Sequence, residues 1–311
     1  MKAKKTVLAL GFFDGIHLGH AALLRRAKEV SETLGAEAAV LTFDIHPDLF
    51  VRGRPVELVC SAHDRAYILR RFFGIDRMCY IHFNEETMRT DWRVFLEQIV
   101  GAYDVAHFVV GYDFRFGEGG RGTAALLREW CAERGLGCDV IPAVTLDGGT
   151  VSSTRIRALL AEGDVSAANR LLGHPYLLTD TVRTGFRLGR TLDYPTVNMR
   201  FEDGVLPPRF GVYASRVLLP EGAADGEQAA LDAVTNVGVR PTFDESGTRV
   251  TVETHIFDFD AELYGKRLCV EFYEFLRPER PFASPEALSA QIREDAAQAR
   301  ALLKKQKSGG H

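Results

Sequence analysis

Cysteine is scarce in this chain and has no pattern. The five present (Cys60, Cys79, Cys131, Cys138, Cys269) are odd in number and none stands in a C-x-x-C pair. That excludes a disulfide framework and a thiolate zinc knuckle. A reducing cytoplasm is the compartment this usage predicts. Long apolar runs are also missing: nothing approaches the ~20 apolar residues of a membrane span, so no membrane partner is expected. The start MKAKKTVLALGFF is charged and then briefly apolar, but Asp14 and His17 interrupt where a signal peptide would have small residues and a cleavage site. Nor is positive charge in excess. The formal net charge is -4, against general nucleic-acid binding, which rests on clustered Lys and Arg facing phosphates. Finally, no G-x-x-x-x-G-K-[ST] occurs, so any phosphate chemistry here uses another architecture.

What is there is an ordinary globular composition, 46% hydrophobic and 26% charged, over 311 residues. That is long for one core and predicts two domains. The first half alternates strands and helices. Thr6–Gly11 reads as a buried strand, Leu18–Leu34 as a helix stopped by Gly35, and Ala38–Phe43 as a second strand. Ser61–Phe73 reads as helical, Arg77–His82 as extended, and Thr90 or Asp91 caps a helix through Val100. Ala106–Val110, Thr123–Arg134 and Asp139–Val144 continue as strand, helix, strand, and Ser152–Leu160 opens another helix. This order implies a parallel sheet with helices on both faces. Near Gly173-His174-Pro175 the pattern changes to short extended runs punctuated by Gly and Pro, at 179–183, 211–218, 230–239, 249–257 and 267–276. These predict a small antiparallel barrel. Ser284-Pro285-Glu286 starts a last helix running to about Leu303, with a frayed basic tail behind it. The expected fold class is therefore α/β followed by β, with domains at 1–172 and 173–311.

The chemistry concentrates first in GFFDGIHLGH, Gly11 to His20. A strand ends in glycine, a helix begins near Leu18, and His17 and His20 fall at its N-terminus. There the unpaired backbone N–H groups and the helix dipole favour an anion. Two imidazoles at that place suit charge developing on a phosphate. A metal site is less well supported, because Asp14 is the one nearby third ligand and the Glu of H-E-x-x-H is missing. A second element, Val151-Ser152-Ser153-Thr154-Arg155-Ile156-Arg157, also follows a strand and opens a helix. Its hydroxyls are ordinary capping residues, but followed by Arg155 and Arg157 they make a second anion site. Two such sites on one parallel sheet suit a triphosphate. Gly117-Glu118-Gly119-Gly120-Arg121-Gly122 satisfies G-x-G-x-x-G formally. Tyr112 to Phe116 separate it from the strand, so it reads as a flexible loop and not as a dinucleotide fingerprint.

The H-x-G-H box and the later S-x-x-x-R segment resemble the nucleotidyltransferase superfamily. The wording between and after them narrows the resemblance. TFDIHP (42–47), VVGYDFRFGEGGRG (109–122), VSSTRIRALLAEGDV (151–165), GFRLGRTLDYPTVN (185–198), NVGVRPTF (236–243), VETHIFDFDAELYG (252–265) and the tail FLRPERPFASPEALSAQIREDAAQAR follow in order. The chain resembles bacterial bifunctional riboflavin kinase/FAD synthetases from about Thr6 to Arg300.

That resemblance implies a Rossmann-like FMN adenylyltransferase domain and a β-barrel riboflavin kinase domain. The implied substrates are ATP, riboflavin and FMN, with Mg²⁺ bridging phosphates. In the first domain His17 and His20 would stabilise the charged phosphorus centre by electrostatics, with no covalent intermediate. Gly11, Gly15 and Gly19 would allow close backbone approach, Ser152, Ser153, Thr154 and Arg157 would hold the pyrophosphate end, Asp113 would sit at the active site, and His46 would face substrate. In the second, Glu253 would be the general base. Thr196 and Asn198, hard oxygen donors, would hold Mg²⁺ and phosphate. Gly185, Gly189 and Arg190 would belong to a glycine-rich flap over the phosphates. Four positions depart from the family's usual wording: Asp193 stands for glycine, Tyr194 for Phe, Val197 for Ala and Ile45 for Pro. Both activities are expected to survive, with oligomerisation not required. The competing readings are an FAD synthetase whose barrel only binds flavin, a flavin storage protein with both sites silent, and another nucleotidyltransferase, which leaves the second half unexplained.

Overall fold

The structure, a computed structural model, describes residues 4–51, 53, 55–183, 195–219, 230–241 and 248–308. The chain forms two compact units: Met1–Leu58 with Arg65–Ser153, and Val59–Asp64 with Thr154–His311. Among the described residues no helix is long and apolar enough to cross a membrane.

The first unit begins with β1 (Thr6–Leu10), a single turn of 3₁₀ helix at Asp14–Ile16, α1 (Leu18–Leu34) and β2 (Glu37–Phe43). Next come the short α2 (Asp48–Val51), α3 (Ala62–Phe73), β3 (Arg77–Ile81) and the short α4 (Glu85–Met88). After α5 (Trp92–Tyr103) and β4 (Val105–Gly111), a minimal hairpin of β5 (Arg115–Phe116) and β6 (Gly122–Thr123) occupies the G-x-G-x-x-G segment. Then α6 (Ala124–Glu133) and β7 (Gly137–Ile141) lead to a second small hairpin, β8 (Thr145–Leu146) with β9 (Gly149–Thr150). Gly35 takes φ 60 and stops α1, Asp91 accepts from Arg93 N at 2.8 Å, and Thr123 accepts from Leu126 N at 3.3 Å. These are the end signals the sequence carries.

The five long strands stand in the order β3-β2-β1-β4-β7, with every pair parallel. The sheet is flanked by helices, so all five residues of β1 are buried. Leu8, Leu10, Phe108 and Val110 pack with Trp92, Phe95, Leu96, Leu127 and Trp130 into one core. The chain grows from β1 first through β2 to β3, then returns to β4 on its other side. The carboxyl end of β1 is therefore the switch point at which open α/β sheets bind ligands.

The second unit takes α7 (Ser153–Glu162) from Thr154 onward, followed by α8 (Val165–Leu172) and β10 (Tyr176–Thr181). Strands β11 (Thr196–Met199), β12 (Gly211–Leu218), β13 (Ala230–Pro241), β14 (Thr248–Ile256) and β15 (Arg267–Arg277) complete a sheet ordered β10-β15-β12-β13-β14-β11. All five pairings are antiparallel. The two edges meet at one bridge, where Arg183 N donates to Asn198 O at 2.9 Å. The last helix, α9 (Pro285–Ser308), lays Ala299 and Leu303 on Val212, Ala214 and Val234. It extends past Leu303, where the sequence predicts fraying. Leu303 is fully buried and its carbonyl accepts from Arg216 Nη2 at 2.9 Å, so the helix end is held down by the barrel.

Candidate active sites

The first site is built where β1 ends. Three of the residues after Phe12 have left-handed backbones: Phe13 (φ 58), Gly15 (φ 72) and Ile16 (φ 45). Glycine adopts this freely, whereas phenylalanine and a β-branched isoleucine do so at a cost of roughly 1–2 kcal/mol each. Phe13 and Ile16 are fully buried, and that packing holds the turn. The turn delivers His17 as the N-cap of α1. His17 Nδ1 accepts from His20 N at 3.4 Å, which puts the neutral ring's proton on Nε2. The rings of His17 and His20 stack at 3.8 Å with 16° between their planes. Gly19 makes this possible, because a Cβ there would stand 3.0 Å from His17 Cε1. His20 Nδ1 is buried without a hydrogen-bond partner among the described residues. Burial first, then the charges of His17 and Arg65, holds His20 well below the usual histidine range. It is therefore a neutral ring, a hydrogen-bonding group more than a cation.

A cleft of about 440 Å³ opens over this pair, lined by Gly11, His17, Gly19, His20, Asp113 and Ser152 among others. Ser153 Oγ donates to Asp14 O at 2.9 Å and ties the start of α7 to the turn before the histidines. The two segments singled out in the sequence are thus joined by a hydrogen bond. Gly15 serves the turn. Thr154 and Arg157 are counted with the second unit, where Arg157 Nη2 donates to Thr154 Oγ1 at 3.2 Å. His46 is not on the cleft lining. Its Nδ1 accepts from Asp48 N at 3.2 Å, capping α2, and its ring stands edge-on to Phe12 at 4.5 Å. Beside the cleft, and sharing Phe43, Pro47 and Arg115 with it, lies an aromatic pocket of about 730 Å³ walled by Phe43, Phe50, Phe83, Phe95 and Phe116.

Sequence reasoning missed both that pocket and Arg65. The guanidinium of Arg65 lies 4.6 Å over the Phe12 ring, and its Nη1 donates to Phe12 O at 2.7 Å and to Thr42 Oγ1 at 3.0 Å. A signal was available: Arg65 stands three and four residues before Ile68 and Leu69, both buried, so helical periodicity puts it on the inner face.

The second site is organised by strand register. Asn198 of β11 stands opposite Glu253 of β14, which in turn stands opposite Asn236 of β13. Residues paired across antiparallel strands share a face, so these three side chains form one polar row. Along β14, Val252, Thr254 and Ile256 are buried while Thr251, Glu253 and His255 are half-buried. Thr196 and Asn198 also line a pocket of about 300 Å³ with Thr254, Asp260, Glu262 and Tyr264. Glu253 is across from Asn198 and is not on that lining. Among the described residues no cluster of three His, Cys, Asp or Glu side chains is arranged to hold a metal ion. The donor set at Thr196 and Asn198 is a hydroxyl and an amide oxygen beside an open pocket. That fits a hard divalent cation which keeps waters and phosphate oxygens as its remaining ligands. Gly185, Gly189, Arg190, Asp193 and Tyr194 lie outside the described residues.

Comparison with known proteins bears on both units. Residues 1–155 match the family model for FAD synthetase and residues 172–303 that for riboflavin kinase. The bifunctional riboflavin kinase/FMN adenylyltransferase of Listeria monocytogenes is 33% identical over 301 residues, covering 96% of this chain and 93% of that one. The protein of the same name from Pseudomonas fluorescens is 36% identical, with 95% and 92% covered. A crystal structure described as a macrolide-efflux protein from Streptococcus pneumoniae superposes with TM-score 0.80 at 28% identity, covering 96% and 95% of the two chains. With both halves matched in order and the relatives spanned nearly end to end, the chain belongs to the family of bifunctional riboflavin kinase/FMN adenylyltransferases.

Proposed function

We infer that the chain converts riboflavin to FAD in two ATP-dependent steps. The carboxyl-terminal part phosphorylates riboflavin to FMN, and the amino-terminal part transfers the adenylyl group of ATP to FMN, releasing pyrophosphate. Two enzymatic modules in one chain favour this over an FAD synthetase with a silent barrel. The working domain division is 1–172 and 173–311. None of the five cysteines is in a disulfide, consistent with a cytoplasmic enzyme.

The observation that carries the adenylyl-transfer half is the stacked histidine pair at the head of α1, opening with Ser152 onto a cleft that adjoins an aromatic pocket. ATP takes the cleft and the flat flavin ring of FMN takes the pocket, where five phenylalanines offer stacking and edge contacts. The FMN phosphate attacks the α-phosphorus of ATP and pyrophosphate leaves. His17 and His20 donate hydrogen bonds to the oxygens that gain charge, and the amino end of α1 adds its dipole. Ser152, Ser153, Thr154 and Arg157 serve the pyrophosphate end, and Asp113 borders the reacting groups. His46 supports the Phe12 turn, its ring packed on Phe12.

In the kinase half, Glu253 takes the proton from the terminal ribityl hydroxyl as that oxygen attacks the γ-phosphorus of ATP, the bond to the β,γ-bridging oxygen breaks and ADP leaves. Thr196 and Asn198 would hold Mg²⁺ and the phosphates, with Gly185, Gly189 and Arg190 as further phosphate-binding residues. Mg²⁺, when bound, offsets the charge of the transferring phosphoryl group. The test is chromatography of products. Riboflavin, ATP and Mg²⁺ should give FMN and FAD, and FMN with ATP should give FAD alone. A preparation that makes FAD from FMN but no FMN from riboflavin would overturn the kinase half. An H17A/H20A chain that still makes FAD from FMN at the normal rate would overturn the histidine mechanism.

A further inference from the structure

Arg65 is 2% exposed. A charge so deeply buried ordinarily faces a carboxylate, because desolvating an unpaired ion is costly. Among the described residues Arg65 has no carboxylate within ion-pair distance. The carboxylate of its chain neighbour Asp64 is taken up by Ser61 and Thr179. Among the described residues Arg65 Nε has no hydrogen-bond partner. What the guanidinium does hold is the carbonyl of Phe12, the last residue before the left-handed turn that leads to His17 and His20. Thr42 Oγ1 accepts from the same Nη1 and donates to the same carbonyl at 3.0 Å, so the anchor is a closed triangle. A fold under selection for stability alone would put an apolar side chain here.

We propose that Arg65 is a positioning residue for adenylyl transfer: it pins the strained turn that presents His17 and His20, and its buried positive charge is offset when a phosphate-bearing nucleotide enters the cleft. This rests on the reading of the first unit as the adenylyltransferase. The charged and titratable groups that reach His20 are His17, stacked on it from the same helix, and Arg65 from α3. Arg65 therefore acts on the nucleotide both through the backbone of the turn and through the protonation state of His20.

The test uses the full chain with R65M, which keeps the stem and removes the charge and fork, and R65K, which keeps the charge alone. FAD formation from FMN and ATP separates the two contributions. R65M should lower kcat by about 100-fold and raise KM for ATP by about tenfold, whereas R65K should recover most of the KM and little of the kcat. A readout that a scaffold role leaves unmoved is the titration of His20 in a histidine-labelled sample followed by NMR. Its midpoint should rise in R65M, because removing a nearby positive charge favours the protonated ring. Thermal unfolding of the same samples, followed by circular dichroism, reports whether each variant is folded, because FMN formation belongs to the other unit. The proposal is overturned by an R65M chain that makes FAD within about threefold of wild type, or by a folded R65M chain whose His20 titrates as in wild type. Should R65M fail to fold, R65K decides: a kcat loss without a KM change supports the proposal, and unchanged kcat overturns it. A wild-type chain that forms no FAD from FMN would sink the adenylyltransferase reading itself. A wild-type chain that forms FAD with R65M matching it sinks the role of Arg65 alone.

Discussion

His17 stacks on His20, and Gly19 leaves the room that the His17 ring occupies. In a helix, Gly→Ala ordinarily stabilises by about 1 kcal/mol. At Gly19 the added Cβ would lie 3.0 Å from His17 Cε1 and 3.1 Å from Nδ1, so the imidazole must move. G19A should keep its thermal midpoint within a few degrees of wild type and lose at least about tenfold in FAD formation. Equal activity in both chains would show that the stack is incidental. The neutrality of His20 has a consequence of definite sign. The unfolded chain takes up a proton at this histidine near pH 6.5, while the folded chain stays unprotonated to well below that, for want of solvation and because a positive charge on His20 is disfavoured beside His17 and Arg65. Below that pH the unfolded state binds more protons, so stability is fully present above pH 6.5 and falls as pH falls through it. Thermal unfolding at pH 7.5 and 5.5 should show a smaller drop in H20Q than in wild type. Identical drops would show that His20 is not held neutral. The histidines themselves were legible as residues in a strand–glycine–helix context, but their stacking was not, because spacing alone does not say which rotamers the core leaves open.

At the scale of elements, the caps and breakers were readable and the small pieces were not. Gly35, Asp91 and Thr123 act locally, through one backbone angle or one hydrogen bond, and they fall where the sequence places them. The four-residue β11 follows Pro195 and gains its strand character from pairing with β14, which lies more than fifty residues away in the chain. Likewise α8, with Asp164 as its cap, and the one-turn α2 and α4 were not expected. The segment 59–64 is a clearer case. Asp64 is 1% exposed, and its carboxylate accepts from Ser61 N at 3.2 Å, Ser61 Oγ at 2.7 Å, Thr179 N at 2.7 Å and Thr179 Oγ1 at 2.8 Å. Through Asp64 this stretch of the first half is counted with the β10 unit, a grouping that no linear boundary describes. D64A would strand those donors in a dry site and should cost about 3 kcal/mol or more, read as a lowered unfolding midpoint in urea. A loss below about 0.5 kcal/mol would mean that water replaces the carboxylate there.

At the scale of the whole molecule, the two proposed sites draw on disjoint sets of residues. E253Q removes the proposed base while leaving the histidine cleft intact, and H20A does the reverse. Each chain alone should make little FAD from riboflavin: E253Q stalls at riboflavin and H20A accumulates FMN, each slowed at least about 100-fold at the affected step. Mixed together, they should restore FAD formation from riboflavin, with FMN passing through solution. Restoration after a lag that shortens with enzyme concentration is the expected time course by chromatography. A mixture no better than its components would show that FMN made on one chain does not reach another.

The sequence by itself determined the fold class and the family, because a strand–turn–helix order and ordered motifs such as H-x-G-H and P-T-x-N are local in the chain. It also marked the residues whose chemistry is local: an imidazole at a helix head and a carboxylate in a strand. Only the tertiary structure decided which of them share a wall. It stacked His17 on His20, joined Ser153 to Asp14, aligned Asn198, Glu253 and Asn236 in one row, and set Arg65 beneath Phe12. Each of those depends on strand register or on packing between segments distant in sequence, where burial and sterics choose among arrangements that the local pattern leaves equally open.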